Sequence, residues 1–481
     1  MKQTKRKTSA QSGHGTKKRA KRNKPSKTQH HIDIHANPNA AGIDIGAEQI
    51  VVAVPPSRDP EPVRTFDSFT GGLVRLRDWL LENRIGTVAM ESTGNYWINC
   101  YDILEQAGIE VFLVNARHVK GVPGKKTDVC DAQWLQQLHA AGLLRKSFRP
   151  AQEILSLRYM ARHRDSLVKD GASCLHRIQK LLTEMNIQLH HVISDIDGVS
   201  GQAIIKGILA GERSPEVLAS LRNGRCQTSE SRIIEALRGN YRPEYIYILG
   251  QLQEQWEQIR SHIVRLDDEI ERQIGSLPAA VGDVAQTPAK PQPRKAVRKQ
   301  AGKNAVPYDY RKESLRCYGV DLMDVEGVGP GMLTALLSEI GPRENLLGAF
   351  KTADGFCAWL GVCPCNAITG GKVIKTGTRK TENRVAAALR LAAFGLEKSK
   401  SQMGQFCRRM KGKLGKAQGI TATAHKLARI IYAMIANRVA YDEAEAFKTN
   451  PGSMTKRIHS LASAAEKLGF KLVPTLDTAM S

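Results

Sequence analysis

GIDIGAEQIVVAV, residues 42–54, reads as two short strands joined by a turn at Gly46-Ala47-Glu48. Both runs are apolar and too short for a helix, and glycines punctuate the first. Working outward, Arg64 to Phe69 is a third strand-like stretch, and Leu73 to Leu81 has the apolar spacing of a helix. A strand (Thr87 to Met90), a helix (Ile98 to Gln106), a strand (Ile109 to Val114) and a helix from about Thr127 follow. The order βββαβαβα predicts an α/β domain with a mixed sheet and helices on its faces.

Beyond that domain the pattern turns helical from 151 to 240. Leu249, Leu252, Trp256, Ile259, Ile263, Leu266 and Ile270 then alternate in steps of three and four, the a/d seam of a coiled coil. A long helix packed on its own domain gives the same spacing. A Pro/Ala/Lys stretch from 278 to 307 has no periodicity and reads as a linker. Val325-Glu326-Gly327-Val328-Gly329-Pro330-Gly331 precedes a helical pattern from Met332 to Ile340 and resembles the turn of helix-hairpin-helix modules, whose glycine backbone can cradle a phosphate. Arg379 to about Ala440 is again helical, and Pro451-Gly452 opens a polar tail. The expected organisation is a basic tail (1–40), an α/β domain (41–150), a helical segment (151–276), a basic linker (277–315), a mainly α domain (316–445) and a tail (446–481).

The chain has 481 residues, 41% of them hydrophobic and 25% charged, a composition neither disordered overall nor membranous. No window approaches the roughly 20 unbroken apolar residues that span a bilayer. A Lys/Arg-rich start with no apolar core behind it does not read as a secretory signal. Nine cysteines without a CxxC pair exclude a disulfide scaffold or ribbon-type zinc site and suit a reducing cytosol. A net charge of +24 makes a polyanion, above all nucleic acid, the expected partner. Eleven Lys/Arg against the single acid Asp33 fall within residues 1–40, and a second cluster runs from Lys290 to Lys303. Such blocks add affinity for phosphates without sequence choice.

Two constellations can carry chemistry. Asp44 sits between Ile43 and Ile45 in an apolar strand, where a carboxylate is costly unless it is paired or holds a cation. Glu91 ends another strand, and Asp128 and Asp131 share one face of a helix start. Four oxygen-donor side chains in one α/β domain suit Mg²⁺ or Mn²⁺, and a pair of such ions about 4 Å apart can activate one phosphate oxygen and stabilise another. N-capping by Asp128, with Asp131 exposed, is the plainer reading of those two alone. The second constellation is CPCNAITGGK, residues 363–372, in which the Thr369 hydroxyl precedes two glycines that leave the backbone accessible. Lys372, Lys375, Arg379, Lys380, Arg384 and Arg390 follow as candidate phosphate ligands. A flexible turn before an ordinary basic helix would look the same. His190, His191 and His425 read as capping or packing residues.

These motifs occur in a familiar order: GIDIG with Asp44, MESTGNYW with Glu91, VNARHVKGVPGKKTDVCDAQWLQQL with Asp128 and Asp131, and CPCNAITGGKVIKTGTRKTENRVAAALRLAA. From Ala41 to about Ala440 the chain resembles the IS-one-ten (IS110) family of insertion-sequence transposases. The resemblance implies a RuvC-like domain of RNase H-like fold, with a DEDD tetrad on Asp44, Glu91, Asp128 and Asp131. It implies a coiled-coil segment used in homo-oligomer assembly and a C-terminal domain whose serine becomes covalently linked to DNA. It also implies guidance by a structured RNA encoded by the element, acting on donor and target DNA in the prokaryotic cytoplasm at the nucleoid. At the serine position this chain carries Thr369, which keeps the hydroxyl and adds a methyl at Cβ. A metal-dependent, structure-selective nuclease and a non-catalytic nucleic-acid-binding relative are the alternative readings.

Overall fold

The computed structural model describes residues 37–92, 94–115, 128–280, 304, 306–448, 451–471 and 473. The basic tail as far as Ala36 and the basic cluster from Lys290 to Lys303 lie outside them. The chain divides into two compact units, one ending at Phe148 and the other beginning at Arg149.

The first unit follows the expected order: β1 (Ala40–Ile45), β2 (Gln49–Ala53), β3 (Val63–Asp67), α1 (Thr70–Glu82), β4 (Thr87–Glu91), α2 (Trp97–Gln106), β5 (Glu110–Val114) and α3 (Asp128–Ala140). The sheet order is β3-β2-β1-β4-β5. β1 pairs antiparallel with β2, β2 antiparallel with β3, and the β1–β4 and β4–β5 pairs are parallel. This mixed sheet, with helices on its faces, fits an α/β domain of RNase H-like architecture. Strand alternation decides what each face carries. Ile43, Ile45, Val52 and Met90 pack with Leu76 and Leu80 of α1 and Leu104 of α2. On the other face, Ala89 and Val114 meet Leu135 of α3, and Val51 and Ala53 meet Ala132.

α3 crosses β1 at Gly42, where a Cβ would overlap the Ala132 carbonyl oxygen and the Gln136 amide nitrogen. The Gln136 side chain also donates to the Ala40 carbonyl at 3.2 Å. Only glycine permits this approach, so Gly42→Ala is expected to push α3 off the sheet at a cost of about 1–3 kcal/mol. A melting temperature unchanged from the native chain would refute that reading.

The second unit is mainly helical. Two long helices, α4 (Gln152–Glu184) and α8 (Pro243–Ser276), bracket the short helices α5 (Val199–Leu209), α6 (Pro215–Ser220) and α7 (Glu230–Ala236). α4 and α8 run antiparallel against each other: the Cys174 thiol donates to the Leu252 carbonyl at 3.2 Å, and Arg164 forks onto Asp267. The seam expected to join two chains is therefore covered within this one. Leu249, Ile263 and Ile270 are buried, and the other four seam residues are half-buried. Periodicity reports a covered stripe and is blind to whose chain covers it. Ile263→Asp is accordingly expected to destabilise the fold itself by several kcal/mol, because it places an unpaired charge at a site that is 4% exposed. Thermal melting is the check; a change of oligomer at unaltered melting temperature would return the seam to an intermolecular role.

α9 (Tyr310–Tyr318), α10 (Pro330–Glu339), α11 (Arg343–Ala349) and α12 (Ala353–Leu360) follow. The end of the stretch read as linker is packed rather than extended. Val306 and Tyr308 are buried, Tyr308 bonds the Thr334 hydroxyl at 3.0 Å, and α9 is capped by Asp309. A two-stranded hairpin, β6 (Ala367–Thr369) and β7 (Lys372–Lys375), interrupts the helices where the sequence suggested only a turn. α13 (Arg384–Gly395), α14 (Gln402–Leu414), α15 (Lys416–Asn437), the short α16 (Glu443–Ala446) and α17 (Pro451–Lys467) complete the unit.

Candidate active site and nucleic-acid contacts

The β1–β4 ladder pairs Ala40 with Thr87 and runs to Ile43 opposite Met90. Its next position sets Asp44 beside Glu91, at the ends of neighbouring parallel strands. Paired residues in a parallel sheet point to the same face, and alternation fixes which one. Ile43 and Met90 belong to the core under α1 and α2, so Asp44 and Glu91 face α3. α3 brings Asp131 to that face one residue before Ala132, which is fully buried against the sheet. Asp44, Glu91 and Asp131 are all half-buried. Asp128 is the first residue of α3, but its side chain lies outside the described residues, as does the segment from Ala116 to Thr127. Carboxylates are hard-oxygen donors, the chemistry that Mg²⁺ and Mn²⁺ prefer. Among the described residues no group of three or more His, Cys, Asp or Glu side chains is gathered closely enough to hold an ion.

In the second unit, β6 and β7 are joined by Gly370 and Gly371, at φ 56° and 77°. Two consecutive left-handed residues make the hairpin turn whose twist matches that of the strands, and glycine takes it without strain. Thr369 is exposed at the end of β6 and pairs directly with Lys372. Residues opposite each other project to one face, so a hydroxyl and an ammonium stand side by side at an open tip. The register shifts between Ala367 and Ile368, which leaves Ile374 as an extra residue on β7.

Residues 41–187 match the DEDD transposase domain of the IS110 family, and residues 321–408 match the transposase family IS116/IS110/IS902. Both matched domains are those of an IS110-family transposase. The first match starts on β1 and includes all four acids; the second includes the Gly-rich turn and the Thr369 hairpin. No curated protein sequence matches the chain. The protein is therefore a transposase, an enzyme with DNA as its substrate.

The basic residues expected to hold phosphates in this transposase divide into two groups. Arg379 donates to the carbonyls of Ala358 and Trp359 at 3.2 and 3.1 Å, and Arg390 reaches the Gly361 carbonyl at 3.5 Å. Arg384 pairs with Asp165 and lies 3.9 Å from Glu339. Those three guanidinium groups fasten the hairpin's base and α13 to the rest of the unit. Lys372 and Lys380 are exposed; the Lys375 side chain lies outside the described residues. The Gly-rich turn lines a groove of about 1280 Å³ shared with α4, α10 and α13. Gly327 is left-handed at φ 87°, and a Cβ there would press on Leu396, whereas Gly329 and Gly331 face open space. Four basic and four acidic side chains line the groove, so it carries no charge excess. Glu339, with its side chain 5% exposed, is the hub: Arg162 forks onto it at 2.9 and 2.8 Å, and Arg158 approaches to 2.9 Å. No local motif announces this hub, because its partners are 177 residues apart.

Proposed function

We propose that this chain is an insertion-sequence DNA transposase that cuts and rejoins phosphodiesters with two sites, a RuvC-like carboxylate site in its first unit and the Thr369 hydroxyl in its second. The observation that carries the reading is the parallel β1–β4 register, in which Ile43 pairs with Met90 and Asp44 and Glu91 are the next residues along, inside a matched transposase domain. Asp44, Glu91, Asp131 and Asp128 would hold Mg²⁺ or Mn²⁺, and the ion would supply charge stabilisation at the phosphate oxygens. The chain's own part is positional. The sheet fixes two carboxylates rigidly, and the Gly42 contact fixes the helix that brings the others.

At the hairpin, the Thr369 oxygen forms a bond to phosphorus as the bond to the departing sugar oxygen breaks. The hydroxyl proton ends on that departing oxygen, so one ester replaces another and the reverse step can rejoin a strand. Lys372, paired across the turn, offers a cation to the phosphate. Gly327, Gly329 and Gly331 present backbone for a DNA phosphate in the manner of a helix-hairpin-helix module. The extended assignments, an element-encoded guide RNA, a homo-oligomer and a nucleoid-associated location, rest on the family.

The test is denaturing electrophoresis of the protein with labelled donor and target DNA, candidate guide RNA and Mg²⁺. A protein-linked DNA band supports the reading. Metal-dependent nicking without such a band would replace it with a nuclease that uses water, and neither nicking nor a band would leave a non-catalytic nucleic-acid-binding relative, the reading to which Thr369 lends weight.

A further inference from the structure

We infer that the face formed by α14, the segment before it and the first turn of α15 is a second nucleic-acid surface, one that binds the phosphodiester backbone of a duplex. It deepens the transposase reading by naming a surface that neither site nor motif assigned. Residues 395–420 contain seven Lys/Arg and one acid, Glu397. That acid is already taken by the Lys411 ammonium, and Lys411 holds its carboxyl below the usual range, with Lys416 and Lys398 adding to the effect. Arg408 is occupied as well, donating to the Glu397 and Ser399 carbonyls at 3.0 and 2.6 Å. Lys398, Lys400, Arg409, Lys413 and Lys416 are exposed, and none forms a salt bridge with a carboxylate among the described residues.

Folding makes little use of these five beyond the Arg409 guanidinium, 5.4 Å from the Phe406 ring centre, and the Lys416 ammonium near Phe394. α14 buries Met403, Gly404 and Cys407 toward α13 and α15, so Arg409 and Lys413, four residues apart, share an outward side. Like charges at that spacing cost a helix a few tenths of a kcal/mol. Lys413 lies in the last turn, where the helix dipole welcomes a cation, but Lys416 opens α15, where the dipole opposes one. The face is also one rigid piece. Gly419 of α15 packs so closely that a Cβ would lie 2.6 Å from the Lys411 backbone, and the Cys407 thiol donates to the Ala393 carbonyl of α13 at 3.5 Å. Phe394 anchors its edge, with the Lys416 ammonium 6.0 Å from the ring centre. A fixed array of cations around the single, already paired Glu397 suits a fixed array of phosphates, whereas the charge-balanced groove beside the Gly-rich turn has no such excess.

The experiment compares the full chain with a Lys398→Gln, Lys413→Gln, Lys416→Gln variant, titrating a DNA duplex and an RNA duplex of equal length at several salt concentrations. Each lost phosphate contact lowers the slope of log affinity against log salt by about 0.9, so the variant should lose about 2 to 3 from the slope. A fall with either duplex supports the surface and names its source; unchanged slopes with both overturn it. Should the variant melt early, Lys398→Gln with Lys400→Gln, which lie outside α14, repeats the test with an expected loss of about 2. The protein–DNA adduct assay on the native chain separates the two readings. No adduct together with a reduced variant slope would sink the Thr369 assignment and leave this surface standing.

Discussion

Thr369→Val is expected to eliminate the covalent protein–DNA adduct, while Thr369→Ser keeps it or raises its yield. Val is nearly isosteric with Thr, and residue 369 is exposed at a hairpin tip, so the exchange removes the oxygen without disturbing packing. β-Branching suits a strand, which keeps β6 intact in the Val variant. Ser removes the methyl that stiffens χ1 and crowds the path of the incoming phosphate, and in-line geometry is sensitive to small misplacement. Denaturing electrophoresis with labelled DNA reads all three proteins. A band of equal intensity from Thr369→Val would show that another residue attacks. No band from either the native chain or Thr369→Ser would remove the hairpin from the chemistry.

Asp44→Asn is the second large effect. It replaces a charged oxygen donor with a neutral amide of the same shape on β1, next to Glu91. The strand tolerates the exchange, because position 44 is half-buried and its neighbours Ile43 and Ile45 carry the packing. Strand transfer is expected to fall at least about a thousandfold, about 4 kcal/mol in barrier, while the melting temperature and nucleic-acid binding stay near native values. Unchanged recombination in Mg²⁺ would overturn the carboxylate site.

The first unit was legible because its information is local. β1, β2, β4 and β5 are short, mostly apolar runs bounded by turn residues, and α1 and α2 show a 3.6-residue stripe. Asp44 was legible for the same reason, as an acid out of place in an apolar strand. The hairpin at 367–375 escaped because its strands are three and four residues long, below what alternation can register, although Gly370-Gly371 is a turn signal. Arg379, Arg384 and Arg390 bond carbonyls or a carboxylate of the chain itself, and the sequence did not announce those bonds, for a different reason. A guanidinium that grips a carbonyl or a carboxylate looks, in sequence, identical to one that awaits a phosphate. Along the seam from Leu249 to Ile270, α8 packs on α4, a neighbour that the spacing alone does not name.

The Glu339 hub also sets an order on synthesis. Every strand of the α/β sheet lies within the first 114 residues, so that unit can close early on the ribosome. α4 emerges soon after, yet Arg162 must wait 177 residues for its carboxylate. At about 5–20 residues per second, that is an interval of roughly 10–35 s. Throughout it Arg158 and Arg162 stand without Glu339, and α4 is without the α8 residues that cover it until they too emerge. A nascent chain stalled before Glu339 thus presents Arg158 and Arg162 without their carboxylate to any polyanion nearby.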